Sequence, residues 1–365
     1  MNIAFYISGH GYGHATRMLA VMNALLERDP HCRFFIRTAS PRKLFNGLPA
    51  GIARYSRMAI DTGMIEKDNF SQDPLATLRH YQKIEDNRQQ LIKNESAFIL
   101  SRQVKVIVSD IPPLASEIGS ACGIPVIGCA NFSWDFNYQP YARQYPRYSH
   151  LIKSIRASYR KTTLLLRLPF HHSMDAFPVQ KDIPLVARQS AASPVKTRLR
   201  LGISKSEKRP VILVAFRIDD QLFRRALVEL TKNNDCLIIT YGLRSLRKYK
   251  NIIVINDSRK AVPYTDILRA CTLVIAKIGY STLAECIAAR VPLMYPPREN
   301  YPEFKLLHNG AKKSLPSYLM PKRDFASGKW RRHIDKFLAQ PISFPSMPAN
   351  GARVAAEIIL RHASK

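Results

Sequence analysis

The chain has 365 residues, of which 46% are hydrophobic, so it is long enough for two globular domains and too apolar to be disordered. No apolar run reaches the roughly 18 residues that a membrane-spanning helix needs, and no basic region precedes the short apolar stretch at the N-terminus. We therefore expect a cytoplasmic protein. Its 56 Lys and Arg residues against 27 Asp and Glu give a net charge of +29, which favours anionic partners.

The first half alternates strand and helix patterns. Short apolar runs predict buried strands at residues 3–8, 34–36, 106–109, 125–128 and 163–168. Apolar residues at helical spacing predict helices over residues 18–28 and 75–100, a third from the turn at 110–113 to Gly123, and a partly helical segment at 141–161. This order is typical of a parallel α/β sheet.

A second α/β series follows a break. Residues 175–210 are rich in Pro, Ser, Lys and Arg with little periodicity, which indicates a connection between domains. Strands are predicted at 211–216, 237–240, 252–255, 273–276 and 292–295, and a last helix at 352–360. We thus predict Rossmann-like domains at 1–175 and 211–348, an interdomain connection at 176–210 and a C-terminal helix at 349–365.

The cysteines indicate whether the chain has disulfides or a zinc site, and the basic residues indicate which partners it could attract. Six cysteines occur without any C-x-x-C pair, so neither a zinc site nor a disulfide framework is indicated. Between Asp135 and Asp175 there is no acidic residue, although seven basic ones lie there: Arg143, Arg147, Lys153, Arg156, Arg160, Lys161 and Arg167. Such a segment suits a polyanion, a lipid headgroup or a phosphorylated substrate, and equally a solvated surface.

The loop after the first strand carries candidate bases. Residues 9–14 read GHGYGH, and glycines alternating with His10 and His14 predict a tight loop that presents imidazoles.

A second glycine turn lies in the later half. Gly279 follows the strand at 273–276, Ser281 and Thr282 can cap a helix, and Glu285 comes one turn later. Backbone N–H groups at a helix start form a phosphate site, and Glu285 is then placed to accept hydrogen bonds from ribose hydroxyls.

Together these stretches resemble the GT-B glycosyltransferases, and in particular the glycosyltransferase-like N-terminal domain of plant L-arabinokinase and its bacterial relatives. The resemblance is carried by residues 9–17 (GHGYGHATR) and 277–285 (KIGYSTLAE), with Ser109-Asp110, residues 130–135 and residues 186–188 similar in kind. It implies two Rossmann-like domains facing across a cleft, with the acceptor on the first and a nucleotide sugar, a UDP-sugar in expectation, on the second.

The resemblance also implies roles. In inverting members a His after the first strand removes the acceptor's proton and an Asp holds that His, which maps onto His14 and Asp110, with His10 as the rival base. Gly11, Gly13 and Arg17 complete the acceptor loop.

The donor side carries over similarly. The implied donor-binding residues are Arg217, Lys277, Gly279, Ser281, Thr282 and Glu285, with Glu299 or Glu303 reading the sugar. A helix N-terminus with Lys277 suits a leaving diphosphate, and no D-x-D pair occurs, so we expect no metal and no other cofactor. Arg217 stands where many relatives have glycine, and an Arg there either contacts phosphate or blocks the backbone approach.

Other functions stay open at this point. The main alternatives are a catalytically silent protein of the same fold that binds nucleic acid or anionic lipid, and a nucleotide-sugar epimerase. An enzyme could also use an anionic acceptor, such as nucleic acid or a lipid-linked phosphate. Peripheral contact with the inner face of a membrane is left open as well. A nicotinamide enzyme is disfavoured because the G-x-G-x-x-G spacing is not met. A metal site on His10, His14, His171 and His172 lacks carboxylate or thiolate support.

Overall fold

A computed structural model describes residues 1–68, 70–216, 221–232, 234–242, 249–255 and 262–364, with the side chains of 221–225 left out. The chain forms two compact units. Unit 1 comprises residues 1–187, 299–306 and 348–365, and unit 2 comprises residues 188–298 and 307–347. No helix among the described residues is long and apolar enough to cross a membrane.

The described residues of unit 1 are built on a parallel sheet of seven strands in the order β3-β2-β1-β4-β5-β6-β7. The strands are β1 Asn2–Ile7, β2 Arg33–Thr38, β3 Ala53–Arg57, β4 Val106–Asp110, β5 Val126–Ala130, β6 Leu164–Arg167 and β7 Gln180–Asp182. The helices are α1 Gly13–Arg28, α2 Pro74–Asp86, α3 Arg88–Ser101, α4 Leu114–Cys122, α5 Trp134–Gln144 and α6 Ser149–Tyr159. Strands β1, β4 and β5 are rich in apolar residues and almost wholly buried, because helices cover both faces of such a sheet.

Unit 2 holds a parallel sheet of six strands among its described residues, in the order β10-β9-β8-β11-β12-β13. The strands are β8 Val211–Ala215, β9 Leu237–Tyr241, β10 Ile252–Ile255, β11 Leu273–Ala276, β12 Leu293–Tyr295 and β13 Ser317–Leu319. The helices are α7 Pro194–Arg200, α8 Gln221–Thr231, α9 Tyr264–Ala270, α10 Tyr280–Ala289, α11 Phe304–Ser314, α12 Lys322–Ala326 and α13 Arg331–Leu338. The division between the units runs through α11.

Two later segments of the chain belong to unit 1. Helix α14, Gly351–Ala363, packs on α1, and a Cβ on Gly351 would lie 2.0 Å from the carbonyl oxygen of Pro184, so only glycine fits there. Residues 299–306 join through Glu299, whose backbone forms a bridge with Ser71. The compact units do not follow the order of the chain: residues 176–187 and 299–306 and helix α14 lie in unit 1 with the first sheet, α14 through its packing on α1 and residue 299 through backbone pairing.

The strand and helix predictions differ from the structure in a few places. The helix predicted over 75–100 is two helices, α2 and α3, which meet at Asn87, whose backbone is not helical. Strands β3, β7 and β13 were not predicted; β3 carries polar residues and both β7 and β13 have only three residues, so none shows a clear apolar run.

Candidate functional site

His14 and Asp110 meet at one edge of the unit 1 sheet. β1 and β4 are parallel neighbours with Ile7 opposite Asp110, so the loop after β1 begins beside the end of β4. His14 lies in the first turn of α1, and its Nδ1 is 2.9 Å from the Asp110 Oδ1. Both residues are buried. The structure therefore brings together the two residues that the resemblance paired, although their roles remain a prediction.

Glycines shape the loop that carries the histidines. Gly11 has φ +67°, a left-handed conformation that favours glycine. A Cβ on Gly9 would lie 2.7 Å from the Cβ of Ala39, so this close approach also requires glycine. Gly13 begins α1, and the exposed Tyr12 precedes it. The loop thus turns directly from the strand into the helix.

Arg17, one turn further along α1, holds Asp110. Its Nε donates to Asp110 Oδ2 at 2.6 Å, and its Nη2 donates to Asp110 Oδ1. Burial disfavours the charge of Asp110, but the Arg17 guanidinium and His14 outweigh burial and lower the pKa of the Asp110 carboxyl below its usual range. Asp110 is therefore a charged carboxylate fixed on two sides.

The ring orientation of His14 follows from these contacts. When Nδ1 carries the proton, it donates to Asp110 and leaves Nε2 as the basic atom, which is the tautomer that a general base needs. Arg17 Nη2 lies 3.1 Å from the same Nδ1, so the guanidinium and the carboxylate both contact this nitrogen. The ring also lies beside aromatic groups, with Phe132 at 5.6 Å and Trp134 at 6.3 Å between centroids.

Glu303 extends this network within unit 1. Arg17 Nη1 donates to Asn131 Oδ1 at 2.9 Å, and Asn131 Nδ2 donates to Glu303 Oε1 at 2.6 Å. The hydroxyl of Tyr301 donates to Glu303 Oε2, also at 2.6 Å. Glu303 is only 1% exposed, and both of its oxygens accept hydrogen bonds from side chains. Glu303 thus lies in unit 1, and its part in reading the donor sugar stays a prediction.

Glu299 and His10 are the more accessible of the remaining candidates in unit 1. The Glu299 residue is exposed, while its backbone accepts from Gln72 and donates to Phe70. His10 is half-buried, and its ring lies 6.5 Å from that of His14 and 6.1 Å from that of Trp134, measured between centroids.

Asp61 is a buried carboxylate of this region that the sequence analysis missed. It is 5% exposed, and its Oδ2 accepts from the indole Nε1 of Trp134 at 3.0 Å. Burial raises the pKa of Asp61, while hydrogen bonds from Ser8 and Gly9 and the charge of His14 oppose that rise. In the sequence, Asp61 is a single acidic residue in a loop after a polar strand, so no motif marks it as part of this site.

In unit 2, the turn between β11 and α10 has the geometry of a phosphate site. Gly279 is extended (φ −148°) and precedes the helix, so the backbone N–H groups of the first turn point out of the helix end. Ser281 and Thr282 lie in that turn and are half-buried, and Lys277 stands directly after β11. Backbone N–H groups at a helix start are the kind of donor that binds an anion.

Glu285 is buried in α10 and forms an ion pair. Arg188 Nε donates to its Oε1 at 2.7 Å, and the Arg188 guanidinium also lies over the ring of Tyr264. Burial disfavours the charge of Arg188, but Glu285 outweighs burial and raises the pKa of the guanidinium. Arg188 also lines a cavity of about 290 Å³, together with Arg269, Arg290 and neutral residues of α9 and α10. Arg217 lies outside the described residues.

The basic segment of residues 143–167 is partly neutralised by acids elsewhere in the chain. Arg156 pairs with Asp135 and Asp175, Lys161 with Glu117, and Arg167 with Asp182. The net charge counted from this segment alone is therefore larger than the charge that its surface presents.

These two sheets have the fold of the GT-B glycosyltransferases. The spinosyn rhamnosyltransferase SpnG complexed with thymidine diphosphate matches at a TM-score of 0.59 and 14% identity, over 100% of this chain and 96% of that chain. UGT89C1 of Arabidopsis thaliana complexed with UDP matches at 0.58 and 15%, over 99% and 94%. At these identities the likeness shows the fold.

In sequence, the chain is similar to the L-arabinokinase of Arabidopsis thaliana, with 28% identity over 364 residues. The match covers 98% of this chain and 34% of that protein, so the chain spans about a third of the length of this curated relative. No protein-family model matches the chain.

Proposed function

We propose that this chain is a nucleotide-sugar-dependent glycosyltransferase that moves a sugar to an acceptor hydroxyl with inversion of the anomeric centre and without a metal. The observation that carries the proposal is the buried His14–Asp110 pair in the glycine loop after β1, on a GT-B fold. An imidazole that a carboxylate orients can accept the proton of a hydroxyl as that hydroxyl attacks. A single displacement of this kind inverts the carbon that is attacked.

The turn at the start of α10 is proposed to bind the diphosphate of the donor. Gly279, Ser281 and Thr282 supply backbone N–H and hydroxyl groups, and Lys277 supplies a positive charge. As the bond to the sugar breaks, negative charge collects on the diphosphate, and a helix N-terminus with an ammonium group stabilises it without a metal. Structures of SpnG with thymidine diphosphate and UGT89C1 with UDP support a nucleotide diphosphate as the leaving group.

Glu285 is proposed to bind the ribose of that nucleotide. Arg188 occupies its Oε1 and so fixes the carboxylate, and Oε2 is then the oxygen that would accept from a ribose hydroxyl. Of the two acids proposed to read the sugar, Glu299 is favoured over Glu303, since both oxygens of Glu303 already accept hydrogen bonds inside unit 1.

The acceptor is proposed to be a small hydroxylated molecule that packs against the ring of His10. That ring is half-buried and lies 6.5 Å from the His14 ring, whereas Phe132 and Trp134, which also pack on His14, are buried; an aromatic ring suits a sugar or an aglycone. SpnG and UGT89C1 have been solved with spinosyn aglycone and quercetin, respectively, which supports an acceptor of that size.

A thermal-shift screen against UDP-sugars, TDP-sugars and free nucleotides tests the donor site, because a ligand that binds only the folded state raises the melting temperature. We expect one nucleotide family to raise the melting temperature, and Glu285→Ala to abolish the shift.

Turnover of that donor should then fall about 10²- to 10⁴-fold in His14→Ala and not in His31→Ala, which removes an exposed histidine. Equal turnover in His14→Ala and wild type would overturn the role of His14. Salt-sensitive binding to RNA or anionic vesicles without any nucleotide shift would favour the binding-protein alternative.

A further inference from the structure

Asn131 stands directly after β5, at the sheet edge where His14 meets Asp110. β5 is the parallel neighbour of β4, so the residues that follow these two strands lie at the same edge. Asn131 is fully buried. Its Oδ1 accepts from Arg17 Nη1 at 2.9 Å, and its Nδ2 donates to Glu303 Oε1 at 2.6 Å. Both ends of this buried amide are therefore bonded to charged side chains.

The two neighbours of Asn131 decide which way its amide faces. A guanidinium can only donate hydrogen bonds and a carboxylate can only accept them, so the amide oxygen must face Arg17 and the amide nitrogen must face Glu303. The hydroxyl of Tyr301 donates to the other oxygen of Glu303 at 2.6 Å, so the carboxylate that holds the amide is itself fixed. Asn131 thus offers Arg17 an acceptor that cannot turn away.

The orientation of Arg17 bears on the tautomer of His14. Arg17 uses Nε and Nη2 for the two oxygens of Asp110 and Nη1 for Asn131, so contacts at both ends fix the plane of the guanidinium. Nη2 also lies 3.1 Å from His14 Nδ1. When Nη2 donates to Nδ1, that nitrogen is an acceptor and the proton of the neutral ring is on Nε2. Asp110 and Arg17 therefore favour opposite tautomers of His14.

We propose that Asn131 is a positioning residue of the His14 site: its amide oxygen holds the Arg17 guanidinium against Asp110 and so keeps the proton of the neutral His14 ring on Nδ1. Nε2 is then the atom that takes the proton of an acceptor hydroxyl, and this consequence rests on the proposed function. The effect of Asn131 on the tautomer needs no substrate, so its test is independent of the test of glycosyl transfer.

NMR of nitrogen-labelled histidine rings reports the tautomer of His14, with the signals assigned by His14→Gln. We expect the neutral ring in wild type to carry its proton on Nδ1. In Asn131→Ala the guanidinium loses one of its anchors, so the ratio of the Nε2-protonated to the Nδ1-protonated form should rise about 2- to 10-fold, the range that loss of one hydrogen bond gives. A wild-type ring protonated on Nε2, or an unchanged ratio in folded Asn131→Ala, would overturn the proposal.

Asn137→Ala is the matched control. Asn137 is another fully buried asparagine, in α5, and neither of its amide atoms has a hydrogen-bond partner in the part of the chain that the structure describes. Its substitution removes the same buried amide without loss of a contact to Arg17, so the His14 ratio should stay at the wild-type value. An equal shift in both alanine variants would show that the ring responds to any cavity nearby, which contradicts the proposal.

Asn131→Asp separates the oxygen from the nitrogen of the amide. It keeps an acceptor for Arg17 Nη1, so His14 should keep its wild-type tautomer, although the protein should lose stability because two carboxyl groups then meet at the Glu303 contact. A shift as large as that in Asn131→Ala would contradict the role of the oxygen. If Asn131→Ala does not fold, the wild-type ring and Asn131→Asp still decide the question.

Steady-state kinetics gives the second readout once a donor and an acceptor are identified. In Asn131→Ala, kcat should fall about 10- to 100-fold while the KM for the donor changes little, because a misplaced base slows the chemical step and leaves donor binding intact. A changed donor KM with an unchanged kcat would contradict a role at His14. Absence of transfer by the wild-type protein would contradict the proposed function and leave the tautomer result to stand on its own.

Discussion

Arg17 and Asp110 form a buried two-point ion pair at the edge of the unit 1 sheet, with Nε 2.6 Å from Oδ2 and the second contact between Nη2 and Oδ1. Arg17 is 3% exposed and Asp110 is fully buried. A planar guanidinium matches a carboxylate in this geometry, and an ammonium does not. The pair fixes the carboxylate against which His14 is oriented, so a residue three positions after His14 decides how that ring is held.

Removal of Arg17 should strongly destabilise unit 1. In Arg17→Met the Asp110 carboxylate stays buried without its guanidinium, and loss of one partner from a buried pair typically costs about 3–5 kcal/mol. Urea unfolding would measure the free energy of unfolding. Arg28→Met is the matched control, because Arg28 pairs with Glu357 on the surface and such pairs contribute about 0–1 kcal/mol. Similar losses in both variants would show that the buried pair contributes no more than the surface one.

The fold was largely predictable because buried parallel strands are continuous apolar runs. Residues 3–8, 106–109 and 273–276 meet that description, and each is a strand of a central region of its sheet. The strands that were missed lie at or near sheet edges, where polar side chains and short lengths remove the pattern. Membership of the units was less predictable, since residues 299–306 join unit 1 through backbone pairing with residues 70–72.

The site was predictable only where the sequence carried a motif. His14 lies in a glycine loop and Asp110 ends an apolar run, so both stand out locally. The Arg17–Asp110 pair joins residues 93 positions apart, and the hydrogen bond from Trp134 to Asp61 joins residues 73 positions apart. Glu303 stands in sequence next to the donor motif, but its side chain bonds to Asn131, which is 172 positions away. Long-range hydrogen bonds of this kind follow from topology, which a single sequence does not specify.

Gly63 should tolerate substitution less well than a comparable glycine elsewhere in unit 1. It has φ +64°, and a Cβ there would lie 2.3 Å from the Cβ of His10. Gly51 has φ +77°, with no atom within 4 Å of its Cβ position. Both alanine variants carry the left-handed penalty of roughly 1–2 kcal/mol. Gly63→Ala must also displace His10, which adds about 1–3 kcal/mol for overpacking.

Chemical denaturation of the two glycine variants measures that difference directly. NMR of the His10 ring adds a local readout, since its signals should shift in Gly63→Ala and stay in place in Gly51→Ala. Equal stability of the two variants, with unmoved His10 signals, would contradict the close packing of residues 61–63 on the loop.

Glu299 and Glu303 should respond in opposite ways to conversion to glutamine. Both oxygens of Glu303 accept hydrogen bonds in a buried setting. A glutamine can still accept from Asn131 and donate to the Tyr301 hydroxyl, but the charge that strengthens both bonds is lost, so Glu303→Gln should cost about 1–2 kcal/mol of unfolding free energy. Glu299 is exposed, so Glu299→Gln should change the free energy of unfolding by less than about 0.5 kcal/mol.

If Glu299 binds the donor sugar, Glu299→Gln should still lower kcat/KM for the nucleotide sugar about tenfold or more, because a charge-assisted hydrogen bond is lost. Thermal melts and steady-state kinetics on both variants separate the roles. A stable Glu303→Gln with impaired transfer, beside a fully active Glu299→Gln, would assign the sugar to Glu303 instead.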